Sequence, residues 1–336
     1  MNSPIISVIV PIYNGALWLP ETLESFFRQS FQDFEIILID DASTDNLKSV
    51  LEKINCERLS VLQLEVNSGV ANARNRGLAV AKGKYVAFCD ADDICQPERL
   101  AIQLDFMEKN PDVGICGTAF TCFDEQDREM VQNPTTNLAI RRRLMSRNCF
   151  GMSTVMGRTE LLLRYGFDQQ MVPSEDYDLW TRLASDCVGM ANLPINLMRY
   201  RVHSQQASQT RSAKLDLLAR KIRAVYCAKL LGEPELLGRI FSEVVEIEDL
   251  RLTKDFIIEY CALHEEVDHS DFRFLLAWLY QKLSVHGIFQ WRCWTRIQKE
   301  LNLDLNFNYR LNIALLALLP PKVGRYYFDT LIKLKY

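Results

Sequence analysis

The first 125 residues alternate short, β-branched apolar runs with helical segments, and that alternation leaves few folds open. Ile5–Pro11 reads as the first strand. Pro20 opens a helix over Glu21–Gln29, with Leu23, Phe26 and Phe27 on one face. Phe34–Ile39 reads as the second strand and runs into Asp40-Asp41; Ser43, Thr44 and Asp45 can cap a short helix through Val50 and Leu51. Leu59–Leu64, Tyr85–Cys89 and Val113–Phe123 read as strands three to five. Val70–Ala81 and a segment opened by Pro97 read as helices. Apolar strands alternating with helices predict a mostly parallel sheet with helices on both faces. Such sheets bind ligands at the carboxyl ends of their strands, near the point where strand order reverses. Here those ends carry Tyr13-Asn14, Asp40-Asp41 and Asp90 to Asp93.

Residues 137–210 read as the second half of the same domain. Leu138–Arg147 is helical and basic, Ser153–Met156 a short strand, Ser174–Ala184 a capped helix, and Leu197–Val202 a strand ending at His203. From about Arg211 only amphipathic helices are expected, over 211–231, 234–248, 272–286 and 289–299. The division is therefore a domain over 1–210 and a helical C-terminal extension over 211–336. Charge follows the same division. Residues 1–210 carry 20 basic and 27 acidic side chains, and residues 211–336 carry 19 and 16. The acidic part suits a cation, and the basic part could meet an anionic surface. No dominant basic face points to nucleic acid. The ten cysteines include no CxxC pair, and most lie in apolar runs, so they read as small buried hydrophobes of a reducing cytoplasm. The N-terminus reads as a strand and not a signal peptide, and no run reaches the roughly 18 apolar residues of a membrane span.

The chemistry concentrates in a few stretches. In "FCDADDICQP", Asp90 and Asp92 lie two apart, on one side of an extended chain. Carboxylates that close raise each other's pKa unless a cation intervenes. Mg²⁺ or Mn²⁺ on a nucleotide diphosphate is one solution; a solvated acidic turn capping the Pro97 helix is the other. In "PIYNG", Tyr13 can stack on a base or rim the core. In "LIDDASTD", Asp45 or Ser43 can cap the helix, which leaves Asp41 without a structural purpose and available to a uracil imide N–H. In "NSGVANARNRGL", Arg74 near a helix start suits an anion, as it suits an ordinary surface helix. In "VPSEDYDLW", Ser174 caps a helix whose first turn holds Glu175, Asp176 and Asp178. One of these acids can be a general base, although the helix dipole should make it a weak one. His203 becomes a metal ligand or phosphate donor only if the fold brings it to Asp92.

Taken in order, "ISVIVPIYNG", "FEIILIDDASTD", "NSGVANARNRGL", "GKYVAFCDADD", "SEDYDLW" and "YRVHSQQAS" resemble family 2 glycosyltransferases of the GT-A fold, over about residues 5 to 210. The resemblance implies sugar transfer from a nucleotide-diphosphate donor to a hydroxyl, with inversion. It implies that Pro11, Tyr13 and Asp41 hold the base, most often uracil, and that Asp90 contacts ribose or metal. Asp92, with Asp93, would bind Mg²⁺ or Mn²⁺, His203 would touch the metal or diphosphate, and Asp176 would be the base. Glu175 or Asp178 would shape the acceptor site. Two residues depart from the pattern. Ala42 stands where a glycine is frequent, implying an ordinary φ, and Met152 stands where relatives carry a more polar residue.

Residues 310–336 hold five basic side chains and one acidic one, among Tyr326, Tyr327, Phe328 and Tyr336. The segment reads equally as an interfacial membrane contact, suited to a lipid-linked or lipopolysaccharide acceptor, or as a docking helix. The expected location is the cytoplasm, with possible peripheral attachment to the inner face of the membrane. Two rival functions remain. A sugar-nucleotide pyrophosphorylase would need a glycine-rich loop after strand one, which "PIYNGALWLP" does not supply. A silent nucleotide-sugar-binding subunit would have no use for Asp176.

Overall fold

The computed structural model describes residues 3–124, 126–203 and 213–230, with five single positions between 253 and 261. The chain divides into two compact units, Met1–Ala219 and Arg220–Tyr336. In the first, β1 (Ile6–Ile12) is buried along its whole length and pairs in parallel with β2 (Phe34–Asp40) on one side and β4 (Tyr85–Phe88) on the other. β3 (Leu59–Gln63) continues the parallel order beyond β2. Strand order therefore reverses between β1 and β4. The crevice there opens at the strand ends carrying Tyr13 and Asp90, where α/β sheets bind ligands.

The rest of the sheet is mixed. β8 (Met156–Arg158) joins β4 to β6 (Val113–Phe123) with antiparallel pairing on both sides. β9 (Gly189–Arg201) runs parallel to β6, and the two-residue β5 (Ile94–Cys95) pairs antiparallel with β9. β7 (Asp127–Val131) pairs with β6 outside this row. The strands follow the order β3-β2-β1-β4-β8-β6-β9-β5. β5 and β8 are short, and their two and three residues give periodicity nothing to register.

Helices lie on both faces, as the period-two alternation of β1 requires. Val8, Val10 and Ile12 pack with Leu19, Leu23 and Phe26 of α1 (Leu19–Phe27) and with Leu100 and Met107 of α4 (Arg99–Lys109). The opposite face receives α3 (Val70–Val80). A Cβ on its Gly77 would stand 2.7 Å from Ile9 and 2.8 Å from Ile39, so only glycine lets the helix seat so close. Further along, α2 (Leu47–Leu51) takes a bond from Leu47 N–H to Asp45 Oδ1. α5 (Asn137–Leu144) is capped by Thr136; α6 spans Thr159–Tyr165 and α7 Glu175–Ser185.

Two local expectations are corrected. Ser153–Met156 is not a strand: Met152–Thr154 form a short 3-10 turn, and β8 starts only at Met156. Thr154 bonds its hydroxyl to Gly151 O (2.7 Å), and Ser153 Oγ accepts from Asp90 N–H (2.9 Å), so both hydroxyls compete with a ladder. Ser174 sits at the N-cap of α7 without a capping bond from its side chain. α8 (Ala213–Leu230) accounts for the first expected C-terminal helix. The helices expected over 234–248, 272–286 and 289–299, and the segment 310–336, lie outside the described residues. Five of the nine described cysteines are buried, and Cys187 is exposed. Among the described residues no helix is long and apolar enough to cross a membrane.

Gly77→Ala tests the seating of α3. Helix propensity favours alanine by about 1 kcal/mol, and overpacking costs about 1–3 kcal/mol. Overlap with two isoleucines should win, and urea unfolding should show a net loss of about 1 kcal/mol or more.

Candidate active site

The ends of β1 and β2 are tied together by side chains. Asn14 Oδ1 accepts from Thr44 N–H (2.8 Å), Asn14 N–H donates to Ser43 Oγ (3.0 Å), and Ala16 N–H donates to Asp45 Oδ2 (2.9 Å). Asn14 and Ala42 both take left-handed backbone, with φ of 52° and 60°. This corrects the expectation of an ordinary φ at Ala42: the turn keeps the conformation a glycine would take. Tyr13 stands about half exposed on this platform, and Pro11 is buried in β1 opposite Ile39.

Asp41 does have a structural purpose. Its Oδ1 accepts from Ser68 N–H (2.9 Å) and Ser68 Oγ (3.0 Å), and its Oδ2 from Gly69 N–H (2.8 Å). It thus holds the loop that leads into α3. A carboxylate offers about four lone-pair sites, so one site on Oδ2 stays open to a single donor.

The aspartates after β4 separate in role. Asp90 Oδ1 accepts from Arg74 (2.9 Å). Asp92 Oδ2 lies 2.9 Å from His203 Nε2. Asp93 was expected beside Asp92 as a metal-holding carboxylate, and the structure turns it inward. It is fully buried, with Oδ1 accepting from Arg201 N–H (2.9 Å). The pairing of β5 with β9 explains the arrangement. It lays the aspartate loop along the end of β9, where Arg201 also donates from Nε to Asp92 O (2.8 Å) and pairs with Glu21. His203 follows two residues later and stacks on Trp18, with ring centroids 5.4 Å apart.

Arg74 joins this loop to α7. Its Nη1 donates to Glu175 Oε1 (2.7 Å) while Nη2 holds Asp90, and both Arg74 and Glu175 are buried. Phe167 lies beneath the guanidinium, 5.6 Å from its ring centroid. Arg76 points to solvent. Asp178 is paired with Arg182 at 2.7 Å. Asp176 Oδ1 accepts from Tyr177 N–H (2.6 Å) and its Oδ2 from Asn148 (2.8 Å).

Electrostatics follow from these positions. Burial, and then Glu175, push Asp176 up to about 6, against the pull of Arg74. The weak base expected at a helix start is therefore corrected: desolvation outweighs the dipole. Burial and then Asp90 raise Asp92, with His203 opposing. Burial and then Asp92 and Asp90 raise Asp93 well above the usual range.

Among the described residues no cluster of three or more His, Cys, Asp or Glu side chains is arranged to hold a metal unaided. Asp92 and His203 give two convergent donors, and Asp90 adds repulsion that a cation would relieve. That set fits Mg²⁺ or Mn²⁺, which take most of their shell from phosphate oxygens and water. It does not fit a zinc caged by protein alone. Sequence reading missed Trp18, Asn148, Ser153 and Arg201, which act through contacts between distant segments. A basic residue two positions before His203 was the one available signal.

The sheet order, switch point and acidic strand ends together define the GT-A architecture. S. aureus TarS 1-349 in complex with UDP-GlcNAc superposes with a TM-score of 0.60 at 22% identity, over 92% of this chain and 90% of that one. The family description "Glycosyl transferase family 2" matches residues 7–169. The amylovoran biosynthesis glycosyltransferase AmsE of Erwinia amylovora is 34% identical over 210 residues, 61% of this chain and 79% of AmsE. An uncharacterized glycosyltransferase of Haemophilus influenzae is 31% identical over 246 residues, 72% of this chain and 93% of its own. The chain belongs to glycosyltransferase family 2.

Arg74→Met would leave the buried Glu175 without its cation, at a cost of about 3–5 kcal/mol. Urea unfolding should show that loss, and adding Glu175→Gln should recover part of it.

Proposed function

We propose that the protein moves a sugar from a UDP-sugar to a hydroxyl of a saccharide or lipid-linked acceptor, with inversion, in surface polysaccharide or lipopolysaccharide synthesis. One observation carries the reading. A half-buried carboxylate with a proton affinity near neutral, Asp176, sits next to Glu175, which Arg74 joins to Asp90 at the strand end after β4. A general base works best when its pKa lies near the working pH. A purely binding subunit has no need of such a group. The name of AmsE places that relative in polysaccharide synthesis, and TarS, of the same fold, is solved with UDP-GlcNAc.

In this reading Tyr13 stacks on the base, and the open site on Asp41 Oδ2 accepts one imide N–H. Uracil offers a single such donor. Asp90 faces the ribose or the metal. A Mg²⁺ or Mn²⁺ ion held by Asp92 and His203 would supply positive charge to the departing diphosphate. Asp93 and Arg201 keep the Asp92 loop in place from below. Asp176 takes the proton of the acceptor hydroxyl as its oxygen bonds to the anomeric carbon, and the bond to the diphosphate breaks on the other side. Attack and departure on opposite faces invert the centre.

The test is UDP release from a panel of UDP-sugars with Mn²⁺. The parent should turn over at least one donor, at a rate that rises with pH through about 6 as Asp176 loses its proton, then levels. Asp176→Asn should keep donor affinity and lose about 10²–10⁴-fold in rate. Asp92→Ala should lose the response to Mn²⁺. Unchanged turnover in Asp176→Asn removes that residue from the role, and no release from any donor in the parent leaves only a binding protein.

A further inference from the structure

Asp176 projects from α7, but the group that fixes its carboxylate comes from elsewhere. Asn148 lies in the loop between α5 and the 3-10 turn, and its Nδ2 donates to Asp176 Oδ2 at 2.8 Å. Its own Oδ1 accepts from Phe150 N–H at 3.1 Å. That second bond removes the usual ambiguity of an amide. Turned over, the group would set N–H₂ against an N–H and C=O against a carboxylate, two repulsive contacts in place of two bonds.

The loop is pinned around this amide. Asn192 of β9 donates to Cys149 O (3.2 Å) and Pro134 O (2.9 Å). Phe150 packs on Trp180 of α7 with ring centroids 5.4 Å apart, and Tyr177 of α7 donates its hydroxyl to Leu144 O. Asn148 and Asp176 therefore move together. The other oxygen of Asp176 is held by the Tyr177 amide. Two of its roughly four lone-pair sites remain for an incoming proton.

We infer that Asn148 is a positioning residue for the base, aiming one carboxylate oxygen and stabilising its ionised form through a donor that cannot accept. The inference rests on the proposed role of Asp176. The charged groups around that carboxylate are Glu175 on its own helix and Arg74 from α3, with Asp90 behind Arg74. Asp178, further along α7, is neutralised by Arg182. Arg74 favours the ionised carboxylate through space, and Asn148 favours it by a direct bond.

A hydrogen bond to a charged group is worth enough to move a pKa by about one unit. Asn148→Ala should therefore shift the acid limb of the rate–pH profile upward by about one unit, with recovery of rate toward high pH and an unchanged KM for the donor. The isosteric Asn148→Asp sets a second carboxylate against the first and should shift the limb further. The assay is UDP release from the UDP-sugar that the parent consumes. Aspartate ¹³Cγ NMR titration, with the Asp176 resonance identified by its loss in Asp176→Asn, reads the same shift without turnover. A pH-independent fall in rate with an unmoved Asp176 titration in both variants overturns the inference. A shifted titration in a protein whose Asp176→Asn form still turns over confirms the bond and discards the base. If Asn148→Ala fails to fold, Asn148→Asp and the NMR titration decide.

Discussion

The Arg74 guanidinium is the interaction on which the site depends. It is a buried cation reaching from α3 to two carboxylates on separate elements, Asp90 after β4 and Glu175 at the start of α7. Removing a charge from water costs several kcal/mol, and close opposite charges with good geometry repay it. Glu175 could not sit so deep without the arginine, and the arginine could not sit there without the two carboxylates. The seat of α3 makes this reach possible. Gly77 lets the helix lie against Ile9 and Ile39, and Asp41 closes the loop before it on Ser68 and Gly69. Sheet packing, helix start and site charge are one arrangement.

The second constraint is the pairing of β5 with β9. Only two residues of β5 are involved, yet they fix the direction of Asp90 to Asp93. Arg201 then anchors this loop. Its amide takes Asp93, its Nε takes Asp92 O, and its terminal nitrogen takes Glu21 of α1. The guanidinium also lies over Trp18 and Phe123, at 4.6 and 4.5 Å from their ring centroids. His203 reaches Asp92 because the chain just before it is held so firmly. A triple aspartate divides its labour in this way: one member faces the arginine, one faces the histidine, and one supports the loop from within.

How much of this was legible in the sequence depends on range. β1 to β4 and their helices announce themselves through runs and periodicity, and the acidic strand ends follow directly. The partnership of Asp92 with His203 spans 111 residues, and a sequence can offer both members without the geometry. The resemblance alone groups Asp93 with Asp92, although alternation along an extended chain sets neighbouring side chains on opposite sides. Ala42 looked ordinary because only glycine advertises a left-handed turn. Asp176 looked weak because the helix dipole is visible in a sequence while desolvation and the neighbouring Glu175 are products of packing. Asn148 gave no signal at all: an asparagine in a loop acquires meaning only from the carboxylate set against it.

The same packing sets a cost. Asp176 binds its proton more tightly folded than unfolded, with about 6 against an ordinary 3.8. Below pH 4 both states are protonated and the site costs nothing through this group. As pH rises from about 4 through 6, the unfolded chain releases the proton first, and stability falls by on the order of 3 kcal/mol for a shift of this size. Asp92 and Asp93 are displaced in the same direction and add to the loss. Folding alone would select against three such groups in one domain. Each interaction that favours the charged forms, Arg74 through space and Asn148, His203 and the Arg201 amide by direct bonds, trims that loss without abolishing it. A base with no such support would stay protonated at neutral pH, and one fully supported would be too acidic to take a proton. The site works in the interval between these limits, and the residues that set the interval lie on five separate segments of the chain.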